Sequence, residues 1–148
     1  MADAPLQSPK TPWHLWVVGV IYLLWSLAGA NDFVMTETHN AAYTKNLTPA
    51  QLNYFAGFPL WVVITWGVAT WGGVLGSLVL LARSRGAVCL FFLASLGMIL
   101  TTLYNFGLSD GMKIMGGVGP LIFSSIIFIA GVLMWFYARA MRRQGVLR

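Results

Sequence analysis

A chain of 148 residues in which 58% are hydrophobic and only 9% charged cannot clothe a water-soluble surface, which draws on roughly 25% charged residues. The formal net charge of +5 does not point to nucleic acid, because the basic residues stand in short clusters at the ends of apolar runs and not on one polar face. A single cysteine, Cys89, excludes an intrachain disulfide and any multi-cysteine metal site.

In chain order, MADAPLQSPKTP (1–12) is polar and carries three prolines, and reads as a disordered tail. The first apolar run, 13–35, spans about 34 Å as a helix, enough for a bilayer core. A polar loop follows. Within it Thr48-Pro49-Ala50-Gln51 forms a capping box with proline at the first helical position. Ala50, Leu52, Tyr54, Phe55 and Phe58 then predict a short amphipathic helix lying at the membrane interface. The second run is 58–81. The turn ARSRG leads into the third, 87–106, and GLSDGMKIMGG into the fourth, 118–138. Residues 139–148, RAMRRQGVLR, read as a basic cytoplasmic tail.

These runs predict an all-α, integral-membrane four-helix bundle. Lys10, Arg83, Arg85, Arg139, Arg142, Arg143 and Arg148 fall on one side of it, and Lys45 and Lys113 on the other. Seven against two places both termini in the cytoplasm. Trp13, Trp16 and Trp135 then sit near the inner boundary and Trp61 near the outer one, where amphipathic rings settle. A rival reading takes Lys10, the stretch 16–27 and Ala28-Gly29-Ala30 as a signal peptide with an A-x-A site. Cleavage there would leave three crossings starting at Asn31. The apolar run continuing through Phe33, Val34 and Met35 favours the uncleaved crossing.

The second crossing concentrates small residues. Gly72 and Gly76 form GxxxG, and Ala69, Gly73 and Ser77 form a parallel row. Such rows let two helix backbones approach closely, either inside the bundle or against a second protein. Trp61, Trp66 and Trp71 recur every five residues, about 140° apart around a helix, so they splay. Trp25, Trp66 and Trp71 are candidates for a sugar or lipid pocket, against the plainer reading of core or lipid contact. Cys89, inside an apolar run, reads as a small buried residue.

The segment GANDFVMTETHN (29–40) holds three of the chain's six Asp, Glu and His side chains. With the YNFGLSDG segment it defines a candidate outer vestibule of Asn31, Asp32, Glu37, His39, Asn105 and Asp110, which would bind a polar ligand or a partner's basic loop. The topology rule offers the plainer account that outward loops are simply poor in bases. His14 and His39 lie roughly 35 Å apart along one helix and cannot bracket a haem. One histidine and scattered acids make a weak metal signal. With no nucleophile–base arrangement, Walker loop or dinucleotide fingerprint, the reading is non-enzymatic, with no cofactor.

The stretches GANDFVMTETHNAAYTKNLTPAQLNYFAGFPLWVV, WGGVLGSLVLLARSR and YNFGLSDGMKIMGG resemble a small four-crossing inner-membrane family of alphaproteobacteria, sphingomonads especially, over Trp13 to Arg148. Members are often labelled sugar transporters, which implies small-solute carriage. The chain lacks the Pro-Gln helix motif of the small bacterial sugar transporters, and the resemblance supplies no site residues. The function expected from the residues is an accessory subunit docking on a larger membrane complex. The alternative is a small-solute carrier working as an oligomer, since four helices rarely enclose an alternating-access path; that no ionisable residue lies at midbilayer favours the accessory reading.

Overall fold

The computed structural model describes residues 10–148; the tail expected over 1–12 lies outside them as far as residue 9. Four helices are long and apolar enough to cross a membrane: α1 (Trp13–Glu37), α4 (Leu60–Leu81), α5 (Gly86–Leu103) and α7 (Val118–Arg143). Three short helices lie between them: α2 (Ala41–Thr44), α3 (Pro49–Ala56) and α6 (Gly111–Ile114). A π-helical turn, Tyr104–Leu108, prolongs α5. The described chain is all-α. Large apolar side chains such as Ile21, Leu24, Ile64, Ile126 and Leu133 point outward on these helices, a surface that lipid covers and water does not.

Helix α3 begins where the capping box predicts. The Thr48 side chain accepts from the Gln51 amide, the Gln51 side chain accepts from the Thr48 amide, and Pro49 opens the helix. Three other ends share one C-terminal device that the sequence reading passed over. Past α1, the amides of His39 and Asn40 donate to the carbonyls of Thr36 and Met35. Past α4, those of Arg83 and Ser84 donate to Leu80 and Val79. Past α7, those of Gly145 and Val146 donate to Arg142 and Met141. This is the Schellman pattern, whose pivot residue is left-handed. Here the pivots have φ of 53° at His39, 58° at Arg83 and 73° at Gly145.

The third of these ends corrects the basic tail expected over 139–148. Helix α7 runs on to Arg143, and after the Gly145 reversal Val146 and Leu147 are buried in the core. Arg148 then pairs with the 82–85 turn, its amide donating to Arg83 at 2.7 Å and its carbonyl accepting from Arg85 at 3.1 Å. The physical reason is the apolar pair that follows the glycine, which the reversal swings back onto the bundle.

In space the crossings stand in the order α1, α4, α5, α7. Helix α4 packs on α1 and α5, α5 packs on α7, and α1 and α7 do not pack along their lengths. Buried residues make up 33% and 28% of the apolar stretches of α4 and α5 but 17% and 11% of those of α1 and α7, so the row has a central pair and two flanks. Small residues set the α4 contacts. A Cβ on Gly72 would lie 3.0 Å from Ala94 Cβ, and one on Gly76 would lie 2.7 Å from the Phe91 ring, both on α5. A Cβ on Gly73 would lie 2.8 Å from Ser26 Oγ on α1. Buried Ser77 returns its hydroxyl to the Gly73 carbonyl. Gly72 and Gly76 therefore meet α5, and Gly73 of the parallel row meets α1.

Cys89 is exposed on the outer side of α5, contrary to the buried position expected. The buried row of α5 is Ala87, Phe91, Ala94, Gly97 and Thr101. Two residues' rotation from Ala87 turns position 89 to the opposite face.

Candidate ligand cavity

The bundle is solid at one end and hollow at the other. Its hydrophobic core, built around Leu15, Leu80, Phe91, Met134, Ala138 and Leu147, fills the end that carries the chain termini. There α1 and α7 are tied together by a 2.6 Å hydrogen bond between His14 Nδ1 and the Tyr137 hydroxyl. Toward the loop end the two flanks separate, and a cavity of about 510 Å³ opens between all four crossings.

One face of α1 supplies the first wall. Tyr22, Trp25, Ser26, Gly29 and Asp32 all line the cavity, and their spacing of three or four residues sets them along a single helical stripe. Trp66 of α4 stands upright in the second wall. Phe33 meets it edge-on at 5.0 Å, and Phe55 and Phe58 sit 6.2 Å away. Helix α5 adds Ser95, Met98 and Thr102, the π-helical turn adds Asn105, and α7 adds Phe123, Ser124, Ile127 and Phe128. Trp25 and Phe123 approach to 6.3 Å across the gap between the flanks. The floor is set by Tyr22, edge-on to Phe91 at 5.6 Å.

The loop end carries a rim of hydrogen-bonded tyrosines. The Tyr43 hydroxyl donates to the Asp32 carboxylate, which together with partial burial pushes Tyr43 up to about 12 from an ordinary 10.0. The Tyr54 hydroxyl donates to Asn105 Oδ1 at 2.8 Å and lies 2.6 Å from Ser109 Oγ. Burial raises Tyr54 as well, against the Ser109 contact. These bonds fasten α3 to the π-helical turn. Ser109 returns its hydroxyl to the Tyr104 carbonyl at 2.8 Å, and Gly111 is needed because a Cβ there would collide with the Asn105 carbonyl and the Tyr54 hydroxyl.

Of the six vestibule residues expected from the sequence, the structure brings two to the cavity, Asp32 and Asn105. Asn31 is exposed beside them, outside the lining. Glu37 ends α1 beyond it. His39 is the left-handed pivot of the α1 terminus, its Nδ1 3.0 Å from the Glu37 carbonyl oxygen. Asp110 stands in solvent, paired with Lys113 at 3.1 Å. Of the other four, Asn31 and Glu37 lie on α1 outside the lining, and His39 and Asp110 are loop and capping residues. Trp25 and Trp66 line the cavity, whereas Trp71 is turned outward. Sequence reasoning missed Tyr22, Tyr43 and Thr102. The stripe Tyr22–Ser26–Gly29–Asp32 was the signal available for the first of these.

The lining contains no Lys, Arg, His or Cys, and Asp32 is its one carboxylate. No group of three His, Cys, Asp or Glu among the described residues is placed to hold a metal ion. In the wall, Thr102 Oγ1 is buried with no hydrogen-bond partner in the protein, a state that costs roughly 1–3 kcal/mol unless something else satisfies it. The site is chemically a binding pocket: aromatic and aliphatic walls, a few hydroxyls, and one carboxylate at the rim. No protein-family model, curated protein or solved structure matches the chain.

Proposed function

We propose that this small integral membrane protein is a non-enzymatic binding protein for an amphipathic organic molecule held between its four crossings. The observation that carries the reading is the cavity of about 510 Å³ lined by every crossing. That volume lies within the range of about 300–1,000 Å³ typical of small-molecule sites. Its walls suit an apolar body, and the Asp32, Tyr43 and Asn105 rim suits a polar head. On the seven-to-two basic asymmetry we place the protein in a bacterial inner membrane with both termini cytoplasmic, so the cavity opens on the outer half.

The accessory-subunit reading retains one supporting observation. The flanks α1 and α7 do not pack along their lengths, which leaves their facing sides free for a partner's helix. The glycines of the small-residue seam lend that reading no support, because Gly72 and Gly76 already meet α5 and Gly73 already meets α1. Sugar carriage would require a path through the terminus end, and that end is filled by the apolar core.

Native mass spectrometry of the chain released from mild detergent tests the proposal. The wild type is expected to carry a non-covalent small-molecule adduct, and Ser124→Trp, which fills the cavity from α7, to carry none. A bare wild-type chain, or an identical adduct on the variant, overturns the binding reading. A stoichiometric companion protein in place of the adduct favours the docking reading.

A further inference from the structure

Three acids stand at the loop end of the bundle: Glu37 ends α1 beyond the cavity, and the surroundings of the other two differ. Asp110 is 72% exposed and ion-paired with Lys113, as a solvated loop carboxylate should be. Asp32 is exposed too, but it lines the cavity, and among the described residues it has no basic partner within ion-pair distance. Its side-chain hydrogen bond comes from a tyrosine. A phenol stabilises a carboxylate without neutralising it, so the cavity keeps one net negative charge at its rim.

The walls below that charge are rich in indole and phenyl rings: Trp25, Trp66, Phe58, Phe123 and Phe128. Aromatic faces are electron-rich and attract cations, most strongly where water is partly excluded. They offer an anion nothing comparable. No lining group carries positive charge, so an anionic head would meet an uncompensated carboxylate. A neutral head would leave that charge unanswered.

Resting on the binding reading above, we infer that the cavity is selective for lipophilic organic cations: amines or quaternary ammonium or phosphonium compounds with aromatic or aliphatic bulk. The cationic centre sits toward Asp32, and the bulk lies against the rings of α1, α4 and α7. Tyr43 is the removable neighbour of the site. In the unliganded chain its hydroxyl caps the carboxylate, and an arriving ammonium replaces or joins it there.

The test uses a pair of probes of nearly identical shape and opposite charge, tetraphenylphosphonium and tetraphenylborate. Binding of each to the full chain in lipid nanodiscs is measured by equilibrium dialysis, with empty nanodiscs subtracted. The phosphonium is expected to bind about tenfold tighter than the borate, a difference set by the charge of Asp32. Asp32→Asn should abolish that preference, weakening phosphonium binding and strengthening borate binding. Should Asp32→Asn fail to give a monodisperse protein, Tyr43→Phe replaces it: uncapping the carboxylate should keep or strengthen phosphonium binding. Equal affinities in the wild type, an anion preference, or a cation preference that survives Asp32→Asn overturns the inference while leaving the cavity reading to its own native-adduct test. No binding of either probe overturns the inference too, and only a bare chain in mass spectrometry removes the cavity reading with it.

Discussion

Gly97 sets α5 directly against the backbone of α4. A Cβ added there would sit 2.5 Å from the Thr65 carbonyl oxygen and 3.0 Å from the Ala69 amide nitrogen. Both are backbone atoms of α4, so no change of rotamer relieves the collision. Ordinary contact begins at 3.4 Å, 0.9 Å further out than 2.5 Å, and the helices must separate by about that distance. A gap of roughly 0.5–1 Å forfeits a quarter to a half of the dispersion energy of each contact it opens, and the Gly72–Ala94 and Gly76–Phe91 contacts open together with it. Overpacking of this kind costs about 1–3 kcal/mol. With two backbone atoms in the way the cost lies near the upper figure. Alanine recovers about 1 kcal/mol of helix propensity, which leaves a net loss of about 2 kcal/mol for Gly97→Ala. Gly119→Ala is the control, since a Cβ at that position of α7 meets nothing within 4 Å. The assay is unfolding in mixed micelles titrated with SDS and followed by circular dichroism. If Gly97→Ala unfolds at the same SDS fraction as Gly119→Ala, the close-packed seam is not what holds α4 to α5.

Three further outcomes are expected. His39→Gly should raise stability in the same SDS titration by about 0.5–1 kcal/mol, because glycine adopts the left-handed pivot at φ 53° without the penalty borne by histidine; a loss would show that the Nδ1 contact with Glu37 matters more. Tyr43 holds its proton to about 12 in the folded chain against an ordinary 10.0, so its contribution to stability is complete below pH 10.0 and disappears as pH rises through about 12. A spectrophotometric titration should show a late-ionising tyrosine that is missing in Tyr43→Phe and ionises earlier in Asp32→Asn. Reporter fusions after Arg85 and at the C-terminus should both report cytoplasm, and a fusion at Thr44 periplasm; a periplasmic C-terminus would overturn the orientation, or show the first crossing to be cleaved.

The four crossings and the capped helix α3 were legible because apolar length and the Thr48–Gln51 pattern act locally. Small residues at 69–77 also announced close packing. What they faced was not legible, since the neighbour of a helix in space is decided by tertiary packing. Gly72 meets Ala94 and Gly73 meets Ser26, contacts between segments more than twenty residues apart. The same limit hid the cavity. Its walls come from four helices and two loops, and polarity alone grouped Asp32 with Glu37, His39 and Asp110, which the fold sends elsewhere. His39 looked like a ligand because of its chemistry, whereas its backbone position makes it a helix terminator. The folded-back end was readable in part: Gly145 followed by Val146 and Leu147 is the pattern of a helix stop with an apolar return. Cys89 was misplaced because every face of a membrane helix is apolar, so hydropathy does not tell core from lipid.

The central claim is that a pocket with one negative charge opens between the four crossings at the loop end. The most direct test replaces Cys89 with serine and introduces a thiol by Ser124→Cys, in the cavity wall, or by Leu133→Cys, on the exposed apolar flank of α7. Rates of modification are then measured in membranes with a cationic and an anionic methanethiosulfonate reagent. The thiol at position 124 should react, and faster with the cationic reagent, while that at position 133 stays unmodified in lipid. A thiol at 124 as inert as the one at 133, or indifferent to the sign of the reagent, would contradict the account.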